Sequence, residues 1–162
     1  MGRLALPALA TLALTAPLMA KDSLGVFSTW AAFRDASVPR CYAIAEAAPS
    51  TRSRDFEPYV AIANWPARRI RSQVHFRLSR ELRANTRVTL RIGRTSFRLM
   101  AGRADAWARD ATMDRAILDA IRKADSMTVY ATDAKGRRFS NTYPLAGAAT
   151  AIDAATLACT RR

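Results

Sequence analysis

The chain has 162 residues, half of them apolar and 24% charged. That length suits one domain with one sizeable core, and that apolar fraction excludes a disordered chain. The 26 basic residues outnumber the 13 acidic ones, for a formal net charge of +13. One histidine (His75) and two cysteines (Cys41 and Cys159) are too few for the usual multi-Cys/His zinc sites or cysteine-ligated iron–sulfur clusters. The sequence therefore indicates no metal and no cofactor.

Residues 1–20 have the pattern of a secretory signal peptide. Arg3 is the only charge before Lys21, and the run Leu4–Ala20 is rich in leucine and alanine. A short basic start, an apolar middle and a small residue at the cut are typical of such peptides. We therefore predict cleavage after Ala20 and a single exported domain at 21–162, periplasmic or secreted. The alternative is an uncleaved membrane anchor, for which this proline-broken run is short.

The next part of the chain has the patterns of short strands. In the segment 87–92, the apolar residues Val88, Leu90 and Ile92 alternate with polar ones, which is typical of a half-buried strand. Gly93 then marks a hairpin. By the same criteria, the predicted strands before residue 101 are 27–33, 40–45, 59–63, 73–78, 87–92 and 95–100, with a loop at 48–58.

The hydrophobic period then changes to that of a helix. Met113, Ile117 and Ile121 lie four apart, which predicts a helix over 112–124. The acidic residues around this helix are expected to form a solvated face. Two further strands are predicted at 127–132 and 137–140, followed by a short alanine-rich helix over 147–158 that ends at Cys159. The fold class predicted is mainly β: an antiparallel β-sandwich or barrel-like sheet with one central helix and a short C-terminal helix.

Export decides how the two cysteines are interpreted. Paired cysteines are expected in an oxidising compartment, and Cys41 and Cys159 both fall in regular, apolar segments. We therefore predict a structural disulfide between them. The alternative is a reactive thiol assisted by His75.

No catalytic residue is assigned. His75 alternates with Val74 and Phe76 on a predicted strand, and neither an orienting group nor a nucleophile is signalled near it in the sequence. An ordinary boundary histidine is the preferred interpretation.

The segment 68–103 is rich in arginine and has Glu81 as its one acid. Strand alternation directs several of these arginines away from the core, and such a face attracts phosphates, lipid head groups or acidic proteins. The residues selected as candidates for contact with an anionic partner are Arg77, Arg87, Arg91 and Arg98. The alternative is that the arginines reflect composition alone.

Several segments together resemble one known family of exported proteins. The segments are Thr89–Gly93, Phe97–Leu99, Ala106–Asp110, Ala116–Ile117 with Arg122, Met127–Val129, Thr142–Gly147, Ala151–Ala154 and Cys159. In order and spacing they are similar to the invasion-associated locus B family of proteobacteria. The likeness covers most of residues 25–160.

The resemblance implies a mostly β fold and export through a signal peptide. Members are linked to host-cell invasion, and no catalytic set is established for them, so no functional residue is carried over. Members often have a further cysteine shortly after the first tryptophan. Here Trp30 is followed by Ala-Ala-Phe-Arg, so only one pairing is open.

The function predicted is that of an exported, non-enzymatic envelope or secreted protein that contacts an anionic partner through an arginine-rich face. The partner classes are an acidic protein, a lipid head group or another polyanion. The alternative is a periplasmic hydrolase or thiol enzyme.

Overall fold

A computed structural model describes residues 21–160, so the predicted signal peptide lies outside the described residues. The strands are β1 (Asp22–Phe27), β2 (Trp30–Asp35), β3 (Arg40–Glu46), β4 (Tyr59–Trp65), β5 (Ile70–Arg77), β6 (Val88–Ile92), β7 (Thr95–Ala101), β8 (Asp105–Trp107), β9 (Ser126–Thr132) and β10 (Arg138–Pro144). The helices are α1 (Ala111–Ile121) and α2 (Ala148–Thr160), with a 3₁₀ turn at Pro66–Arg68. No helix within this part of the chain is long and apolar enough to cross a membrane.

All ten strands belong to one antiparallel sheet, in the order β1-β2-β3-β4-β5-β8-β7-β6-β9-β10. The sheet has two halves, β1 to β5 and β6, β7, β9 and β10. The short strand β8 joins them because it pairs with both β5 and β7. The hairpin predicted at Gly93 is present between β6 and β7. The mainly β fold class with one central and one C-terminal helix is thus confirmed.

The two halves of the sheet enclose a single hydrophobic core. Phe76 of β5 and Tyr143 of β10 come from different halves, and their ring centroids are 5.6 Å apart. Beyond the end of β3, the Ala48 N–H donates to the Thr142 carbonyl of β10 at 2.7 Å. These contacts bring the far edge strand back over the first half, so the sheet is curled like a barrel.

Both helices pack against the sheet through their apolar faces. Asp110 caps α1 by accepting the Met113 N–H at 2.8 Å, which satisfies a free donor of the first turn. Ile117 and Ile121 point into the core. The helix α2 packs across β1 to β4 and buries the alanines Ala148, Ala151 and Ala155.

The strand predicted over 27–33 was correct for residues 30–33, which lie in β2, but the chain turns back before them and Phe27 belongs to β1. Ser28 has a positive φ of 57°, and Phe27 pairs with Trp30 across the turn. Serine is a weak signal for this backbone conformation, so the turn depends on distant contacts. The Trp30 indole N–H donates to the Pro144 carbonyl at 2.9 Å, and Thr29 donates to the carbonyl of Ala146.

Gly147 makes room for this turn. Its φ is 85°, and a Cβ on it would lie 1.8 Å from the Phe27 carbonyl oxygen. Only glycine fits such a close backbone approach. Gly147 therefore allows the start of α2 to pack closely against the first hairpin.

The expectation of a fully solvated acidic face around α1 was also wrong. Asp114 is buried and accepts the Val74 N–H of β5 at 2.8 Å. Burial raises the pKa of this carboxyl group above its ordinary value. Asp114 therefore anchors α1 to the sheet.

Candidate functional site

Three of the four selected arginines lie together on the outward face of the second half-sheet. Arg91 alternates outward on β6, and Arg87 directly precedes that strand. Arg98 of β7 lies opposite Thr89, which is the residue midway between them. Val88, Leu90 and Ile92 point the other way, into the core, so the alternation fixes all three arginines on one face. We call Arg87, Arg91 and Arg98 the arginine surface.

The charges of the arginine surface are not neutralised by neighbours. All three residues are exposed, and within residues 21–160 none of their guanidinium groups forms an ion pair. Arg91 donates only to the Gly93 carbonyl, at 3.3 Å. Uncompensated cations held on one rigid sheet attract anions at long range.

A groove of about 480 Å³ continues this surface beside Arg91. It is lined in part by Lys123, Asp125 and Thr128. Tyr130 of β9 stands at its edge with 47% of its surface exposed. Tyr130 was not among the predicted contact residues, although its alternation with buried Val129 and Ala131 could have placed it outward.

Arg77 lies apart from the other three, in a paired cluster. Its Nη1 donates to Asp105 Oδ2 at 2.8 Å, and its guanidinium lies 4.5 Å from the centre of the Phe56 ring. Its charge is thus compensated by Asp105, and the Phe56 ring covers one face of its guanidinium group. We therefore leave Arg77 out of the arginine surface.

His75 is oriented by the same carboxylate. Its Nε2 lies 2.9 Å from Asp105 Oδ1, and its ring stacks on Trp107 with centroids 5.3 Å apart. This contact was not predicted because it depends on the short strand β8, which places Asp105 opposite Arg77 and Trp107 opposite His75. A histidine held by a carboxylate is half of a catalytic arrangement, and a nucleophile is the other half. Among the described residues, no hydroxyl or thiol forms a hydrogen bond with His75.

The two cysteines are joined. A disulfide links Cys41 of β3 to Cys159 of α2, with their Cα atoms 5.8 Å apart and 118 residues between them in sequence. Cys41 is buried beneath the helix. The bond ties α2 to the sheet, and it leaves no free thiol in the described part of the chain.

Comparison with known proteins identifies the family of this chain. The family model described as Invasion associated locus B (IalB) protein matches residues 32–156. A search of curated proteins finds no match. Among solved structures, the chain is similar to the crystal structure of invasion associated protein b from Bartonella henselae, with a TM-score of 0.58 and 12% identity. The alignment covers 85% of this chain and 98% of the other, and it shows a shared fold. Because the family model spans most of the chain, this protein belongs to the invasion-associated locus B family.

Proposed function

We propose that this protein is an exported, non-enzymatic member of its family that binds an anionic partner through the arginine surface. The partner is anionic: an acidic protein, a lipid head group or another polyanion. The observation that carries the proposal is the grouping of Arg87, Arg91 and Arg98, exposed and without ion pairs, on one sheet face.

Rigidity supports this interpretation. The arginine surface stands on a hairpin whose inner face is buried in the core, so the backbone positions of the three arginines are fixed before a partner arrives. A preformed surface loses less conformational entropy on binding than a flexible one. The two neighbouring strands β9 and β10 extend the same face with Thr128, Tyr130 and Thr142, which are able to form hydrogen bonds.

The enzyme alternatives have less support. A thiol enzyme needs a free cysteine, and both cysteines are in the disulfide. A hydrolase built on His75 would use the Asp105 pair, but that carboxylate also neutralises Arg77. The family, moreover, is not known as an enzyme family.

Charge reversal tests the arginine surface. We expect the double variant R87E/R91E to bind heparin, used as a sulfated polyanion, about tenfold or more weakly, because two attractive contacts become repulsive. The dependence of affinity on salt between about 50 and 200 mM should also flatten, since fewer counterions are released on binding. Fluorescence anisotropy of labelled heparin measures both effects.

The matched control is R71E/R115E, which changes the net charge by the same amount. Arg71 and Arg115 are exposed but lie on β5 and α1, away from the outward face of β6 and β7. This variant should retain most of the affinity. An equal loss in both variants would mean that the positive charge acts as general composition, and the proposal would fail.

Export has its own test. The protein recovered from a periplasmic fraction or culture medium is expected to begin at or near Lys21, because the basic-apolar-small pattern ends at Ala20. N-terminal sequencing of the fractionated protein gives the answer. A chain that keeps Met1 and stays in the cytosol would contradict the proposal of export.

A further inference from the structure

A polar cavity of about 340 Å³ lies between the loop after β3 and the strands β9 and β10. It is lined mostly by polar side chains, among them Arg52, Arg54, Arg80, Arg138 and Tyr130. Four of them are arginines, and none of these described lining residues is acidic. The arginines of the arginine surface do not line it.

The cavity walls are fixed by hydrogen bonds. The Asp55 N–H donates to the Ser79 carbonyl at 2.8 Å, which holds the loop against the end of β5. Asn141 accepts the Ser79 N–H and donates to the Ser79 hydroxyl at 2.9 Å. Arg80 donates to the Ser53 carbonyl at 2.6 Å. The cavity is therefore a formed feature of the fold.

Two of the four arginines are already compensated. Arg80 is buried and pairs with Asp133 at 3.2 Å. Burial alone would raise the pKa of Asp133, but hydrogen bonds from Arg137 hold that pKa below its ordinary value, so the carboxylate stays charged. Arg54 lies 3.7 Å from Glu57. Arg80 and Arg54 therefore form part of the cavity wall, and their charges are already paired.

The other two arginines carry uncompensated charge. Arg52 and Arg138 are exposed, and within residues 21–160 neither forms an ion pair. The Arg52 guanidinium donates to the backbone carbonyl of Arg138 at 3.4 Å, so the two residues adjoin. Both residues line the cavity, and their two positive charges match the charge of a phosphate monoester, whose oxygens accept hydrogen bonds from guanidinium N–H groups in pairs.

The remaining lining residues favour a sugar as the carrier of that phosphate. Ser50, Ser140 and Ser53 offer hydroxyl groups, and the exposed ring of Tyr130 offers a flat apolar face at the rim. Hydroxyl groups of a sugar exchange hydrogen bonds with such side chains, and its C–H face packs on an aromatic ring. The volume lies within the range of small-molecule sites.

We infer that this cavity binds a phosphorylated saccharide, with Arg52 and Arg138 holding the phosphate and Tyr130 contacting the sugar ring. The arginines of the arginine surface do not line the cavity, although Tyr130 also lines the groove beside Arg91, and the inference does not depend on the function proposed for that surface. The saccharide is either a free sugar phosphate or the phosphorylated sugar of a larger glycan or lipid.

Calorimetric titration of the purified protein tests the inference, with glucose 6-phosphate, inorganic phosphate and glucose as probes. Glucose 6-phosphate should bind more tightly than inorganic phosphate, and glucose should not bind measurably. The variant R52Q/R138Q should lose about tenfold or more of the affinity for both phosphates, because two charge-assisted contacts are removed. Tyr130→Ala should lower the affinity for glucose 6-phosphate and leave the affinity for inorganic phosphate unchanged.

The matched control is R87Q/R91Q, which removes the same charge from the arginine surface and should keep the affinity for glucose 6-phosphate. Conversely, R87Q/R91Q should weaken heparin binding more than R52Q/R138Q does, so failure of this inference is distinguishable from failure of the proposed function. No binding of glucose 6-phosphate, or an equal loss in both arginine pairs, would overturn the site. Equal affinities for glucose 6-phosphate and phosphate that Tyr130→Ala leaves unchanged would overturn the saccharide assignment.

If the probes bind as expected, vesicles that carry a phosphorylated sugar on a lipid distinguish the two sources. Binding to such vesicles that glucose 6-phosphate displaces would indicate a lipid-linked or glycan-linked ligand. Binding of the free sugar phosphate without vesicle binding would indicate a small soluble ligand. Both results are consistent with the saccharide site.

Discussion

Removing the disulfide, by C41A/C159A, is expected to lower the free energy of unfolding by about 2–5 kcal/mol. The bond closes a loop of 118 residues, so its loss frees most of the domain's chain in the unfolded state. It also releases α2 from β3, although the helix keeps its packing on β1 to β4. Alanine is the replacement of choice because Cys41 is buried and a serine hydroxyl would add an unpaired polar group there.

Urea unfolding followed by circular dichroism measures this loss. The wild-type protein treated with a reductant is the control, and it should unfold at nearly the same urea concentration as the variant. Heparin binding at a temperature where the variant is folded should be preserved, since the arginine surface stands on β6 and β7. A variant as stable as the oxidised wild type would show that the bond contributes nothing to stability.

Truncation of Phe76 is expected to lower the free energy of unfolding by about 3–5 kcal/mol. The Phe76 side chain is fully buried, pairs with Val60 and Ala106 on the flanking strands, and reaches Tyr143 of the other half-sheet. Phe76→Ala therefore leaves a cavity at the contact between the two halves. Because the halves share one core, unfolding should remain a single transition.

Phe33→Ala is the matched control for this prediction. Phe33 is only partly buried on β2, where its ring lies 5.6 Å from that of Tyr42, so the same truncation removes less buried surface. The control should lose less than half as much stability as Phe76→Ala. Equal losses, or two separate transitions in the Phe76 variant, would show that the half-sheets are not coupled through this contact.

The arginine surface and the cavity lined by Arg52 and Arg138 lie next to each other on one side of the molecule, with Tyr130 between them. Tyr130 lines both the groove beside Arg91 and the cavity beside Arg138. Arg138, Tyr130 and Arg91 therefore follow one another across this side of the molecule. The variants described above separate the contribution of each element.

Local pattern alone determined much of the fold. The alternation of Val88, Leu90 and Ile92 predicted β6 and placed Arg87 and Arg91 on its outward face, because successive side chains of a strand point to opposite sides. The helical period of Met113, Ile117 and Ile121 predicted α1 for the corresponding reason. The family resemblance, carried by segments from both half-sheets, is confirmed by the family match over residues 32–156.

The disulfide was also accessible from the sequence, by a different route. With two cysteines in the chain there is one pairing, so the prediction needed only the compartment and no geometry. The structure adds which elements the bond joins, β3 and α2.

Tertiary structure decided the features that depend on contacts distant in sequence. The turn at Ser28 is held by the chain around Ala146 and Gly147, and the three-residue strand β8 exists through its pairing with β5 and β7. Such a short segment has no periodicity of its own, so the pairing of Asp105 with Arg77 and His75 was not predictable. The cavity arises in the same way, because the loop after β3 meets β10 only when the sheet curls. Alternation indicates which side of a strand faces outward, whereas the folded sheet determines which outward charges find a partner and which stay free to bind one.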